Sequence, residues 1–394
     1  MKKNIIAIAV AAAMVAPAAA MADTTLYGKF HVSYDVLGGD NASGTQSGFS
    51  SNSSRIGIKG SEKINDSLSI IYQYETSIDA GQNSSFSGAI GGQRNTFVGA
   101  TGFWGTVITG RHDTPFKMMG RDYDLFGDTI GDSRNIISGP SVAATGTQTT
   151  YAVNSKTGAI VGTTTPVYGN NDTNWDLRPS QVIAYVTPDL MGFKAIVAYV
   201  NSWSSSAGVT GPAAPYNTNN NAWSLSAHYG IAGFGLDAAY EQHKMQSAST
   251  AGNDSQSAYR IGANYSIAGF KILGLYQDIK NVAFSNNDVK AYGVGAAYTF
   301  LGANTIKAQY YKADDISNTS NTGGDLWAVG YDYKLSKQTN VYAMYAQTSN
   351  SSNAMYTIMN GGHDYKYPTG TVGTTGSFAG GKSSAVSLGI EHKF

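Results

Sequence analysis

Apolar and polar side chains alternate with a period of two along most of this 394-residue chain, and nothing else in it restricts the fold so tightly. In Leu26-Tyr-Gly-Lys-Phe-His-Val-Ser-Tyr-Asp35, the residues Leu26, Phe30, Val32 and Tyr34 fall on one face, while Lys29, His31, Ser33 and Asp35 fall on the other. Ile56 and Ile58 likewise oppose Arg55, Gly57 and Lys59, and Trp223, Leu225, Ala227 and Tyr229 oppose Ser224, Ser226, His228 and Gly230. Successive side chains of a strand point to opposite faces, so this period predicts strands with one greasy and one wet side. Sixteen such runs begin near residues 24, 53, 67, 94, 105, 180, 192, 222, 234, 257, 270, 289, 304, 325, 339 and 384. Tight links such as Ala232-Gly233 and Ala268-Gly269 alternate strictly with long Ser/Asn/Gly/Thr-rich links, about 37–52, 78–93, 113–179, 204–221, 246–256, 281–288, 314–324 and 349–383. Antiparallel strands joined in this way put all tight turns on one rim and all long loops on the other.

Such strands can build a soluble sandwich with the apolar face inward or a membrane barrel with that face outward. A ring of sixteen encloses a lumen that side chains cannot fill, so a dry interior would leave a void, whereas a polar lining is simply hydrated. The wet face carries Lys29, Arg55, Lys59, Arg94, Lys194, Asp237 and Glu241, charges that an apolar interior could not hold unpaired. Open edges are not tolerated in lipid, so the sheet is expected to close. Phe193 and Tyr199, Phe234 and Tyr240, and Phe270 and Tyr276 repeat an aromatic pair at i, i+6 after a tight turn, which keeps both rings on one face as in the aromatic bands of membrane barrels. In Lys271–Lys280, Leu273 and Leu275 compete with Ile272 and Tyr276 for the outward phase, and the repeat assigns it to Ile272 and Tyr276. A secreted β-sandwich or repetitive adhesin is the rival architecture, and it leaves the alternating link lengths unexplained.

Residues 1–22 read as a cleaved signal peptide: Lys2 and Lys3 precede the apolar stretch Ile5–Ala16, and Ala20-Met21-Ala22 satisfies the small-x-small rule. The barrel then occupies 23–394. Losing Lys2 and Lys3 leaves 24 basic against 26 acidic groups, a net charge of −2 that argues against a nucleic-acid partner. With no Cys, thiolate metal sites, disulfides and Cys nucleophiles are excluded. The six His are scattered without metal-ligand spacing, and Gly293-Val-Gly295 lacks the helix of a dinucleotide loop, so neither a cofactor nor enzymatic activity is expected.

The link 113–179 is too long for an idle loop. Asp122, Asp124 and Asp128 cluster in its first part, and Thr147–Val153 with Ala159–Val167 reads as a β-hairpin. If the acidic part turns into the lumen, it faces Lys29, Arg55 and Arg94, with Arg178 at the loop's exit, and the opposed charges create a transverse field across a narrowed passage. Each Asp is equally compatible with a solvated loop position.

Leu26-Tyr-Gly-Lys29, Arg55-Ile-Gly-Ile-Lys-Gly60, Thr106-Val-Ile-Thr-Gly-Arg-His-Asp-Thr-Pro115, Val186-Thr-Pro-Asp-Leu-Met-Gly-Phe193 and Ile390-Glu-His-Lys-Phe394 occur in an order that resembles the general trimeric porins of Gram-negative outer membranes. The resemblance covers the whole mature chain. It implies an all-β, sixteen-stranded antiparallel transmembrane barrel with short periplasmic turns, long extracellular loops and a long third loop folded into the pore, three barrels assembling as a homotrimer. It further implies a basic pore wall of Lys29, Arg55, Arg94 and Arg178, and an acidic side of the loop at Asp122, Asp124 and Asp128. Phe394 resembles the terminal aromatic read by the outer-membrane assembly machinery. Gly120 and Phe126 depart from the relatives' pattern, and the phase of Arg111, toward lumen or subunit contact, is open. The expected function is passive diffusion of ions and small hydrophilic solutes through the outer membrane, with outer-membrane lipid around the barrel. A solute-specific porin or a surface adhesin or receptor using its long loops is the alternative.

Overall fold

Each alternating run forms a strand that hydrogen-bonds to a neighbour on either side. The computed structural model describes residues 23–40, 46–79, 93–141, 146–153, 160–167, 175–201, 203, 220–244, 255–281, 288–359, 363 and 379–394. The expected signal peptide, residues 1–22, lies outside these. The elements are β1 (Thr25–Gly39), β2 (Gln46–Ser51), β3 (Arg55–Asn65), β4 (Leu68–Ser77), β5 (Gln93–Gly102), β6 (Gly105–Arg111), α1 (Pro115–Asp122), α2 (Arg134–Ile137), β7 (Gly146–Val153), β8 (Ile160–Val167), β9 (Val182–Val186), β10 (Phe193–Val200), β11 (Asn221–Ile231), β12 (Phe234–Lys244), β13 (Ser255–Ile267), β14 (Phe270–Lys280), β15 (Val289–Phe300), β16 (Asn304–Ala313), β17 (Gly324–Lys334), β18 (Thr339–Asn350) and β19 (Lys382–Lys393).

Pairing is antiparallel throughout and follows chain order, with β6 joined to β9 across the long insert. The sheet closes where β1 meets β19, in register from Lys29 opposite Lys393 to Gly39 opposite Ser383. Both β2 and β3 pair with β1 and are the two halves of one strand, so the ring is a closed sixteen-stranded barrel. No described helix is long and apolar enough to cross a membrane. The hairpin expected in the insert is present as β7 and β8, which form a separate two-stranded sheet.

One expectation is corrected here. Residues 46–51, read as part of a loop over 37–52, are a strand paired with β1. Gln46-Ser-Gly-Phe-Ser-Ser51 has loop-like composition, yet Phe49 faces outward as a strand residue would, and the pairing with β1 satisfies its backbone. The strand breaks at Asn52–Ser54, where Ser53 takes a positive φ of 53° and Asn52 N–H reaches the His31 carbonyl at 2.7 Å.

The apolar phase faces outward. Ile272 is 56% exposed while Leu273 is 5% exposed, which settles the ambiguous strand as the repeat assigned it. The tight turns Ala232-Gly233 and Ala268-Gly269 hold both central residues at positive φ, the geometry whose twist matches the strands it joins.

Inside, the lumen is not wholly wet. Part of the insert folds into it, and Phe116, Tyr123, Phe126, Ile130, Ile136 and Ile137 pack with Leu273, Leu275, Tyr311, Leu326 and Met344 in one buried cluster. The two leucines that blurred the phase of β14 are thus the wall side of a dry seam beneath the inserted segment.

The ring is sealed at its base by the last residue. Phe394 N–H donates to the Gly28 carbonyl at 3.1 Å, Gly28 N–H donates to the Phe394 carbonyl at 2.9 Å, and the Phe394 ring stacks on Phe30. A Cβ at Gly28 would collide with that ring and sit 2.8 Å from the Arg55 carbonyl oxygen. Gly28→Ala is expected to destabilise the closed barrel by about 1–3 kcal/mol, seen as a lower temperature for conversion from the folded to the unfolded band in heat-modifiability gels. An unchanged conversion temperature would show that closure does not depend on this contact.

Candidate functional site

The segment entering the lumen begins with Thr114-Pro115, a side-chain cap followed by a residue that has no N–H to satisfy. Thr114 Oγ1 accepts from Lys117 N–H at 3.3 Å, and α1 follows. The segment is two-sided. Its apolar side lies on the dry seam, while Arg121, Asp128, Asp132 and Arg134 form a charged side that reaches β1 and β3.

Asp128 is the centre of that side. It is 4% exposed and lies 2.8 Å from Lys29 Nζ, 2.7 Å from Arg134 Nη2, 3.4 Å from Arg121 Nη2 and 4.0 Å from Arg55 Nη1. Burial opposes its ionisation, but Lys29, Arg121 and Arg134 outweigh burial and hold its carboxyl well below the usual range. Stability from these pairs is therefore complete above the ordinary Asp value of about 3.9 and is lost only as pH falls through the depressed one. Arg134 is held well above the usual guanidinium range, because Asp132, Asp176 and Asp128 together outweigh its burial. Removing one member of such a buried pair costs about 3–5 kcal/mol, so these contacts fix the segment's position.

The network continues along the wall. Glu75 on β4 bridges Arg55 and Arg94, and the latter owes its inward direction to a bulge. Tyr74 pairs with Thr96 but Thr76 pairs with Gln93, so two residues, Arg94 and Asn95, stand opposite Glu75. The extra residue resets the alternation, and both side chains enter the lumen. Arg178 donates to Asn95 Oδ1 at 2.6 Å and pairs with Asp113 at 3.0 Å, and Asp113 in turn pairs with Lys117 at 3.1 Å. Burial opposes the charge on Asp113, and Lys117, Arg178 and Arg121 overcome it and depress its pKa. Lys117 reaches Asp176, Asp176 reaches Arg134, and Lys29 reaches Glu391, which holds Lys393. Among the described residues this single connected network holds eight cations and six carboxylates.

The expected arrangement of opposed charges across a gap is therefore replaced by contact. Asp128 touches the wall cations directly and is outnumbered by them. Asp124 meets none of the wall cations: it accepts from Phe126 N–H at 2.8 Å and Ser133 N–H at 2.9 Å within its own segment and from Gln309 Nε2 of β16 at 3.0 Å, and so braces the segment and ties it to the wall. Asp122 lies toward β11 and β12, where burial and then the nearby Asp237 raise its pKa. Asp237 accepts from Tyr123 Oη at 2.6 Å and lies 2.8 Å from His228 Nδ1. Arg111 shares the outward phase of Val107 and Thr109 and donates to Ser180 Oγ at 3.3 Å. Phe394 lies at the barrel seam, bonded to Gly28 and following Lys393 of the network.

Sequence reasoning passed over Arg121, Arg134, Lys117 and Glu75. The signal for the first three was present as cations interleaved with the Asp residues of the insert, and nothing local marks Glu75. Among the described residues no group of three or more His, Asp or Glu could hold a metal ion.

A family model described as Gram-negative porin matches residues 9–353. Outer membrane porin protein 32 of Delftia acidovorans is 26% identical over 405 residues, spanning 100% of both chains. The major outer membrane protein P.IB of Neisseria sicca is 35% identical over 128 residues, 30% of this chain and 33% of its own. Among solved structures, an anion-selective porin from Comamonas acidovorans superposes with a TM-score of 0.68 at 20% identity, covering 95% of this chain and 100% of that one. OmpF of Salmonella typhi, solved in complex with daunomycin, gives a TM-score of 0.61 at 16% identity, covering 95% and 98%.

Asp122 and Asp128, two of the four acids of the segment, are expected to titrate in different ranges. Asp122, displaced upward, takes up its proton on acidification before an ordinary Asp, whereas Asp128, displaced downward, stays ionised beyond that point. Salt-gradient reversal potentials in planar bilayers should thus move toward anions as pH falls from 7 to about 4, near the ordinary Asp value, and Asp122→Asn should flatten that change. A titration that survives in Asp122→Asn would assign it to another group.

Proposed function

We infer, from the premise that this chain belongs to the Gram-negative porin family, that the protein is an outer-membrane porin, a water-filled channel through which ions and small hydrophilic solutes diffuse down their gradients. The closed barrel with its apolar face outward and a charged, partly filled lumen is what such a channel requires. The flux needs no energy input, and the reading assigns the chain no catalytic chemistry and no cofactor.

The finer reading is ours. Lys29, Arg55, Arg94 and Arg178, together with Arg121 and Arg134 from the inserted segment, form the constriction. The excess of cations over carboxylates in the network makes the passage prefer anions, and this one observation carries the proposal. A fixed positive field in a narrow aqueous passage raises the local concentration of anions and excludes cations. Selectivity for anions is named for the Comamonas relative, and the charge balance found here agrees with it. Three copies would assemble as a homotrimer in outer-membrane lipid after export by residues 1–22, with Phe394 presented to the assembly machinery before it closes the ring.

Purified protein in planar bilayers is expected to give stepwise ohmic conductance, and in a salt gradient an anion over cation permeability ratio of roughly 2–5. Asp128→Asn, which removes a central negative charge, should raise that ratio. Folded protein that inserts silently would overturn the channel reading, and a reversal potential of cationic sign would overturn the anion preference alone.

A further inference from the structure

Arg260 on β13 is fully buried, yet no carboxylate contacts it among the described residues. Its Nη1 donates to the Phe116 carbonyl at 2.9 Å and its Nη2 to the Ile137 carbonyl at 2.9 Å, while its Nε donates to Gln277 Oε1. The guanidinium also lies 4.0 Å from the centroid of the Phe116 ring. Gln277 closes the arrangement by donating its own Nε2 to the Ile137 carbonyl at 3.0 Å.

These acceptors mark the two ends of the segment that enters the lumen. Phe116 lies in the first turn of α1, and Ile137 is the last residue of α2, a helix of four residues too short to satisfy its own carbonyls. A buried guanidinium with no carboxylate in contact is costly, and only the planar fork of Arg presents enough donors to hold both carbonyls and the Gln277 amide oxygen at once. Gly120 completes the fit. A Cβ built there would land on Arg260 Nη1. The guanidinium could yield only by giving up the hydrogen bonds that hold it.

We propose that Arg260, seated against Gly120, is the positioning residue that sets the aperture of this channel, clamping both ends of the inserted segment to β13 while Lys29 holds its middle from β1. Arg260 touches no solute. It determines where Asp128, Arg121 and Arg134 stand, and so how wide and how steady the passage is. The proposal rests on the channel reading, and the wild-type recording separates the two: silence of the wild type defeats that reading, whereas the variants test only the clamp.

The test is single-channel recording of full-length Arg260→Met, Arg260→Lys, Gly120→Ala and the Arg260→Met/Gly120→Ala double variant, each checked for a folded barrel by heat-modifiable migration. Arg260→Met and Gly120→Ala are each expected to raise conductance roughly twofold and to increase open-channel current noise. The double variant should match Arg260→Met alone, since no guanidinium remains for the new methyl to displace. Arg260→Lys should fall between, because one ammonium can hold one carbonyl but not both. Folded variants with wild-type conductance and noise would overturn the proposal, as would additive effects in the double variant. If Arg260→Met does not fold, Gly120→Ala decides alone: wild-type behaviour there rejects the clamp.

Discussion

A peptide group in hydrocarbon has no water to bond, so every N–H and C=O of a lipid-crossing strand must be satisfied by another strand. The rest of the molecule follows from that demand. It forces the sheet to close, which here needs β1 to meet β19 and the terminal Phe394 to exchange hydrogen bonds with Gly28. It forces the outward residues to be apolar and leaves the inward ones free to be charged. It also fixes the number of strands as a ring property, and a ring of sixteen is too wide for its own side chains to fill.

The width of that ring creates a second demand, which the insert meets. A segment crossing a hydrated lumen would ordinarily be a mobile loop, since few of its residues could be buried. This one is held because its two sides satisfy different partners. Phe116, Phe126 and Ile137 bury against the wall that carries Leu273, Tyr311 and Leu326, and Asp128 meets Lys29 and Arg55 from the opposite side. Each side alone would leave the other exposed or unpaired. Gly131 and Gly330 fit the same close packing: the Phe126 ring occupies the space a side chain at Gly330 would fill, and Ala328 and Met344 occupy that at Gly131.

The strands were legible because their signal is a period, and a period survives single exceptions. Leu273 and Leu275 obscured the phase of β14, yet three repeats of the Phe and Tyr pair resolved it. The strand at 46–51 was not legible, because Gln, Ser and Gly carry no preference for a sheet and only its partner β1 fixes it. The site was less legible than the fold for a related reason. Sequence places a carboxylate on a segment but not the donor it will meet. Asp124 and Asp128 look alike in Asp-Leu-Phe-Gly-Asp, yet one is consumed by backbone N–H groups and the other by cations. Arg94 adds a further case, for its direction depends on a bulge that appears only once β4 and β5 are paired.

The division of labour between Lys29 and Arg260 bears on how such a lumen can be both rigid and selective. An ion pair that holds the segment also spends its charge: the carboxylate of Asp128 is neutralised by the cations that grip it, and what field remains comes from cations left over. Strengthening the grip by adding carboxylates to the segment would erase the positive excess. Arg260 avoids this conflict by holding carbonyl oxygens, which carry no net charge, from a buried position on β13. The hydrogen bonds from Arg260 to Phe116 and Ile137 add to the ion pairs that Lys117 and Arg134 make near the same ends, so part of the grip on the segment does not depend on the charges that face solutes.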